Sequence, residues 1–349
     1  MSVNQPEHWH PDRLGAGFSA RALELGPDPL GEGDLCATLV RYYPGPDGAA
    51  DAPATTAEDG PEEDEEFASR PALLWVHGMT DYFFQAHVAR CFHARGYAFY
   101  AIDLHKCGRS RRDGQTWHYA AAMEEYYADL DAALEFICGP HPDVTPLAHS
   151  TAGVIVPLWL DRLRTSQPAA HARVSSAIFN SPWLDIMGVP KPVLQAAKPV
   201  INAIGKAFPK VAFPGGGLSA FGDSIHASRY GEWDYDTTLK PLSGHKKYLG
   251  WLRGVIAGQD RIHQGAIDIG VPGLVLCSTR SRLGKPYSPD TDTADAVVDV
   301  SQTVHWAPRL GNDITVCPIL GARHEVFLSL PPARREAFEI SSHWLARAH

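Results

Sequence analysis

From residue 72 to about residue 180 the sequence alternates short apolar runs with helix-length segments, and this alternation constrains the fold more than any other feature. Residues 72–77 (Ala-Leu-Leu-Trp-Val-His), 97–103 (Tyr-Ala-Phe-Tyr-Ala-Ile-Asp), 144–148 (Val-Thr-Pro-Leu-Ala) and 174–179 (Val-Ser-Ser-Ala-Ile-Phe) are each too short for a stable helix. Their near-continuous apolar character is that of strands buried on both faces. A helix is expected to end near Ala94. Residues 118–138 carry helical spacing through Met123, Tyr126, Tyr127, Leu130, Ala133, Leu134 and Ile137. Strands alternating with helices fold as a mostly parallel, doubly wound sheet with helices on both faces. Right-handed crossovers then bring the C-terminal strand ends, and with them residues 77–79, Asp103 and Ser150, to one edge.

Ser150 stands at the sharpest turn of this pattern. The strand ends at Ala148; His149, Ser150, Thr151, Ala152 and Gly153 follow, and a helix-length apolar segment begins. A serine on a tight strand-to-helix turn needs small neighbours, because strand and helix run close together on either side and the turn itself is strained. Ala148 and Ala152 meet the size condition, although alanine adopts a positive φ less readily than glycine. A serine that merely caps a helix would give the same five residues, so the rest of the chain has to decide.

Residues 17–25 and 35–43 alternate as strands around a Gly/Pro/Asp-rich turn, which predicts two antiparallel edge strands. Residues 44–70 are rich in Pro, Gly, Asp and Glu and read as an acidic, disordered loop. Residues 182–250 break the strand–helix alternation. They hold an amphipathic helix over residues 193–208, interrupted or entered at Pro199, a Gly-rich turn at 215–217 and an aromatic stretch at 230–235. Inserted after the strand that follows Ser150, this segment is expected to form a cap over the functional edge, with residues 1–181 and 251–349 as the core. A helix at 251–266, a strand at 271–277, a helix at 300–310, a last strand at 314–320 and a closing helix at 332–348 complete the pattern.

Composition excludes several function classes. The net charge of −9 draws heavily on the acidic run at 58–66, and Lys and Arg are scattered, so nucleic-acid binding is not expected. Six cysteines without a Cys-x-x-Cys pair point to a reduced, cytoplasmic setting. The first ten residues lack the basic and apolar regions of a signal peptide, and no apolar run is long enough to span a membrane.

A serine hydroxyl becomes a nucleophile only beside a base, and the base needs an acid to orient it. His324 follows the last strand directly, between Ala322 and the closing helix, where a base would face Ser150. Asp290, Asp292, Asp295 and Asp299 all lie in the loop before it, and Asp185 is a further acid after the strand at 174–179. Asp299 also suits the N-cap of the helix that begins near residue 300. The oxyanion of an acyl-transfer intermediate needs two N–H donors. Thr151, at a helix start, and Met79, after His77-Gly78, are the candidates. Trp183, Trp233 and Tyr235 near the cap are expected to contact an acyl or aromatic part of the substrate.

In order and spacing, residues 77–79, 103–110, 148–153, 295–298 and 321–325 resemble the α/β-hydrolases, and most of all their monoacylglycerol lipase and lysophospholipase-like, serine aminopeptidase-type branch. The resemblance runs from about residue 72 to the end, apart from the cap. It implies Ser150 as nucleophile, His324 as base and Met79 and Thr151 as oxyanion donors. Asp295-Ala-Val-Val matches the acid motif of such hydrolases, which makes Asp295 the acid and Asp299 the runner-up. The chain departs from the family at Ala148 and Ala152, at Lys106-Cys107 where a Gly-His pair is common, and in its long acid loop. The expected activity is cleavage of a small-molecule carboxylic ester, without metal or cofactor. Epoxide or haloalkane hydrolysis would need an aspartate at position 150. A peptidase or amidase of the same fold and a catalytically silent binding protein are the alternatives.

Overall fold

A computed structural model describes residues 8–45, 64–213 and 218–348. In chain order its regular elements are β1 (His10–Pro11), β2 (Phe18–Pro27), β3 (Asp34–Tyr42), α1 (Glu65–Ser69), β4 (Ala72–Val76), α2 (Ala86–His93), β5 (Ala98–Asp103), α3 (Tyr127–Ile137), β6 (Val144–His149), α4 (Ala152–Ser166), α5 (Pro168–His171) and β7 (Ala177–Asn180). After them come α6 (Lys191–Ala207), β8 (Ala212–Phe213), α7 (Ser219–Ile225), β9 (Lys247–Tyr248), α8 (Leu249–His263), β10 (Gly273–Ser278), α9 (Val300–Trp306), β11 (Ile314–Ile319) and α10 (Pro331–Ala348).

Nine strands form one sheet in the order β1-β2-β3-β5-β4-β6-β7-β10-β11. The first three run antiparallel to their neighbours, and the remaining pairs are parallel. Successive residues of β4 point to opposite faces. Leu74 and Val76 join a core with α3, α4 and α8, while Leu73 and Trp75 join a second core with α2 and α10. Burial on both faces explains why these strands read as continuous apolar runs. Pro146 lies inside β6 although proline cannot donate to a ladder. Pairing of β6 with β7 starts at Leu147, one residue beyond it.

The order β5-β4-β6 makes β4 the switch point of the winding, which is where ligand sites form in open α/β sheets. The register of β4 on β6 pairs Val76 with Ala148. The residues after Val76 therefore emerge beside the residues after Ala148, which brings Met79 next to Ser150.

Local boundaries differ from the sequence expectation in places. Residues 46–63 lie outside the described residues, but 64–70 are ordered and not a loop. Asp64 caps α1 by accepting from the Phe67 N–H at 2.7 Å, and the Phe67 ring is buried against Tyr43 and Tyr100. The helix before Ala94 starts only at Ala86, and the regular helix of the 118–138 segment only at Tyr127. Helix α6 starts at Lys191 and runs through Pro199 without a break. Its packing on α8, with Gly205 against the Leu249 carbonyl, offsets the hydrogen bond that proline removes. Val193, Val200 and Ile204 stand exposed on its outer side. Among the described residues no helix is long and apolar enough to cross a membrane.

Candidate active site

β6 ends at His149, and Ser150 adopts φ 54°, in the left-handed region. Such backbone is strained for a residue with a side chain. Here hydrogen bonds on both sides hold it: the Ser150 N–H donates to the Asn180 carbonyl at 3.1 Å, and its carbonyl accepts from the Trp183 N–H at 3.0 Å. The surroundings explain the two alanines of the motif. Ala148 and Ala152 are fully buried and their methyls are accommodated. Glycine is needed at other positions. A Cβ on Gly153 would lie 2.3 Å from the Pro182 Cβ, and a Cβ on Gly78 would lie 2.8 Å from that of Ser150.

His324 sits on the loop between β11 and α10 and is buried. Its Nε2 lies 3.0 Å from the Ser150 Oγ, and its Nδ1 lies 2.9 Å from the Asp295 Oδ2. The other oxygen of Asp295 accepts the N–H groups of Val297 and Val298, each at 2.8 Å. Asp295 is wholly buried. The other acids have different work. Asp299 caps α9 by accepting from the Ser301 N–H. Asp292 accepts from Arg323 at 2.8 Å and so steadies the loop that carries His324. Asp290 is exposed, 3.9 Å from Arg280. Asp185 accepts from the Trp306 indole at 3.0 Å.

Two cavities meet at Ser150. The larger holds about 660 Å³. Met79, Ser150, Thr151 and Trp183 form its floor, and Leu194, Ala197 and Ile201 of α6 with Trp251 and Ile256 of α8 form its apolar walls. The smaller holds about 30 Å³. Ser150, His324, His149, Asp81, Tyr235 and Lys240 line it. Among the described residues, neither the Met79 nor the Thr151 N–H has an acceptor within the protein. Nor do those residues include a group of three His, Cys, Asp or Glu side chains arranged to hold a metal.

The expected aromatic contacts divide. Trp183 lines the large cavity and Tyr235 the small one. Trp233 lines neither of these two cavities. Its ring stacks on His87 at 4.2 Å and its N–H donates to the Leu328 carbonyl at 3.1 Å, so both its face and its polar edge are taken up in contacts with distant parts of the chain.

Three residues escaped the sequence reading. Asn180, at the end of β7, accepts from Ser150 through its carbonyl, while its side chain donates to Glu325 at 2.6 Å and accepts from the Val326 N–H at 3.1 Å. It ties the turn of Ser150 to the loop of His324. Glu325 is wholly buried, and burial pushes its carboxyl up to about 7. Its adjacency to His324 was the available signal. Lys240 pairs with Asp81 at 2.6 Å and is enclosed by Phe84, Phe221 and Tyr235. No short sequence spacing announces a contact between positions 81 and 240.

Residues 68–329 match the model of the serine aminopeptidase S33 family. The chain belongs to that family. The strand order and the structural likenesses give it the α/β-hydrolase fold. A monoacylglycerol lipase from Paleococcus ferrophilus superposes with a TM-score of 0.57 at 18% identity, over 80% of this chain and 97% of that one. A soluble variant of the monoglyceride lipase of Saccharomyces cerevisiae, in complex with a substrate analogue, gives 0.56 at 13% identity, over 100% and 96%. A putative hydrolase from Agrobacterium vitis gives 0.55 at 14% identity, over 93% and 97%. No curated protein matches the sequence. Membership in the S33 family makes the chain a hydrolase by descent, and the bond it cleaves must be argued from the site.

Proposed function

We propose that this protein is a serine esterase that cleaves carboxylic esters having an apolar acyl group and a small alcohol, through an acyl-enzyme intermediate. One observation carries the reading. Ser150, His324 and Asp295 form a continuous hydrogen-bonded line, and its Ser150 end opens on a 660 Å³ apolar cavity. Ser150 attacks the ester carbonyl carbon while His324 Nε2 takes its proton. Asp295 holds the His324 ring through Nδ1 and stabilises its charged form. The Met79 and Thr151 N–H groups stabilise the oxyanion. His324 then gives the proton to the departing alkoxide, the C–O bond breaks, and water repeats the cycle in reverse to release the acid.

The cavities support an assignment of the two halves of the substrate. The group that protonates the alcohol must reach it, so the leaving group belongs in the cavity that His324 lines. That cavity is the small one, which supports an alcohol smaller than the acyl group. The acyl group belongs in the large apolar one. The lipase neighbours agree with an ester as the scissile bond. An aminopeptidase would instead need an anion to hold the substrate's α-ammonium on the acyl side. Among the described residues the large cavity is lined by no carboxylate, and its one charged side chain is a lysine.

Labelling with a fluorophosphonate probe tests the nucleophile. Wild type is expected to label and Ser150→Ala is not. Methyl esters of rising acyl length, followed by acid release, are expected to improve with length. A folded wild type that neither labels nor cleaves any of them returns the protein to the silent, ligand-binding reading.

A further inference from the structure

The apolar cavity contains one feature that a plain hydrocarbon chain would not use. Lys247, on β9, is its only charged lining residue among those described. Lys106, Lys198, Lys210 and Lys240 each meet a carboxylate: Asp28 and Glu32, Asp260, Glu32 and Asp81 respectively. Lys247 meets none among the described residues. Burial lowers its pKa below the usual lysine value, and no opposing charge raises it. The titratable groups that share its field are His118 and His245, whose pKa values are themselves lowered, by burial first and by nearby positive charge. Neither supplies negative charge.

Lys247 is half-buried, so its ammonium is partly stripped of water by the apolar wall and has no carboxylate beside it among the described residues. A ligand anion would replace the lost water with a charge-assisted hydrogen bond, which is among the stronger polar contacts available to a protein. It would also fix how far the acyl chain runs from Ser150. Resting on the ester-hydrolase reading above, we propose that Lys247 receives a carboxylate carried by the acyl part of the substrate. The favoured substrates are then monoesters of dicarboxylic acids with small alcohols: an apolar chain with an ester at Ser150 and an anion at Lys247. The same lysine discriminates against neutral acyl chains of equal length, because they leave it unpaired.

The experiment compares two series of methyl esters followed by acid release: monomethyl esters of dicarboxylic acids from succinate to dodecanedioate, and methyl esters of monocarboxylic acids of matched length. One dicarboxylic length is expected to exceed its neutral counterpart by about tenfold or more in kcat/KM, mainly through KM. Lys247→Met should remove that preference while neutral esters are cleaved as well or better. Lys247→Arg should keep it. Calorimetry on Ser150→Ala reads the same subsite without turnover: the preferred monoester is expected to bind, and the Ser150→Ala/Lys247→Met double variant to bind it about tenfold more weakly. Equal kcat/KM for both series at every length, or a preference that survives Lys247→Met, overturns the proposal. If labelling of Ser150 fails while the calorimetric difference stands, the esterase reading falls and the anion subsite remains.

Discussion

Asp295 and Asp299 are four positions apart in one loop, and their environments give them opposite fates. Asp295 is fully buried and spends one oxygen on two backbone N–H groups, so its second oxygen is fixed towards His324. Asp299 lies at a helix start and caps it. Asp295→Asn is expected to lower kcat on the order of 10³–10⁴-fold with the fold intact, because the amide cannot stabilise the charged imidazole. Asp299→Asn should leave kcat near wild type and cost well under about 1 kcal/mol, since asparagine also caps helices. Steady-state kinetics and circular dichroism on the pair separate the two roles. Glu325 gives a second residue-scale prediction. Its native carboxyl is raised to about 7 from an ordinary value of 4.5. Between those values the native state holds a proton that the unfolded state has lost, so stability falls as pH rises through this window, by about 3 kcal/mol in total. Glu325→Gln keeps the acceptor for Asn180 and Phe327 and removes the titration. The melting temperature of the variant relative to wild type should therefore rise from pH 4 to pH 8. A constant difference across that range would show that the Glu325 carboxyl has the same pKa in the native and unfolded states.

At the scale of elements, the turn between β6 and α4 depends on how closely α4 passes the chain after β7. Gly153 has no room for a Cβ against Pro182, whereas Ala152, one residue earlier, is accommodated. Gly153→Ala is expected to destabilise the protein by about 1–3 kcal/mol or more through overpacking, seen as a lower denaturation midpoint. Ala152→Gly restores the commoner motif and should cost only about 0.5–1 kcal/mol, the usual penalty for glycine in a helix. The reverse ranking would mean that the requirement for glycine sits at 152 after all. Asn180 shows how two elements are held in register: its backbone serves the turn of Ser150, and its side chain serves the loop of His324.

At the scale of the whole molecule, residues 182–250 are joined to the rest of the fold by polar contacts that reach the site. Arg13 meets Asp236, Lys210 meets Glu32, and the buried Lys240 meets Asp81 two residues beyond Met79. The exposed pairs contribute little. The buried pair matters because breaking one side leaves a charge without a partner. Lys240→Met is expected to cost about 3–5 kcal/mol, and Lys240→Met combined with Asp81→Asn should recover much of that loss in chemical denaturation. If the single and double variants are equally unstable, packing of the lysine stem in its aromatic enclosure dominates over its charge.

The sequence by itself determined the parallel sheet, the turn that carries Ser150 and the position of His324 after the last strand. These follow from short-range physics: buried strands need continuous apolar runs, and strained turns need small residues. Folding decided what depends on contact between distant positions. Asp295 was already the expected acid from its Asp-Ala-Val-Val motif, and folding added its burial and its contact with His324. The need for glycine at 78 and 153 came from how closely two segments pass, and the stacking of Trp233 on His87 joins positions far apart in the chain. The pairing of Asp81 with Lys240 and the lack of a carboxylate partner for Lys247 among the described residues are facts of three-dimensional charge placement, which no spacing along the chain encodes.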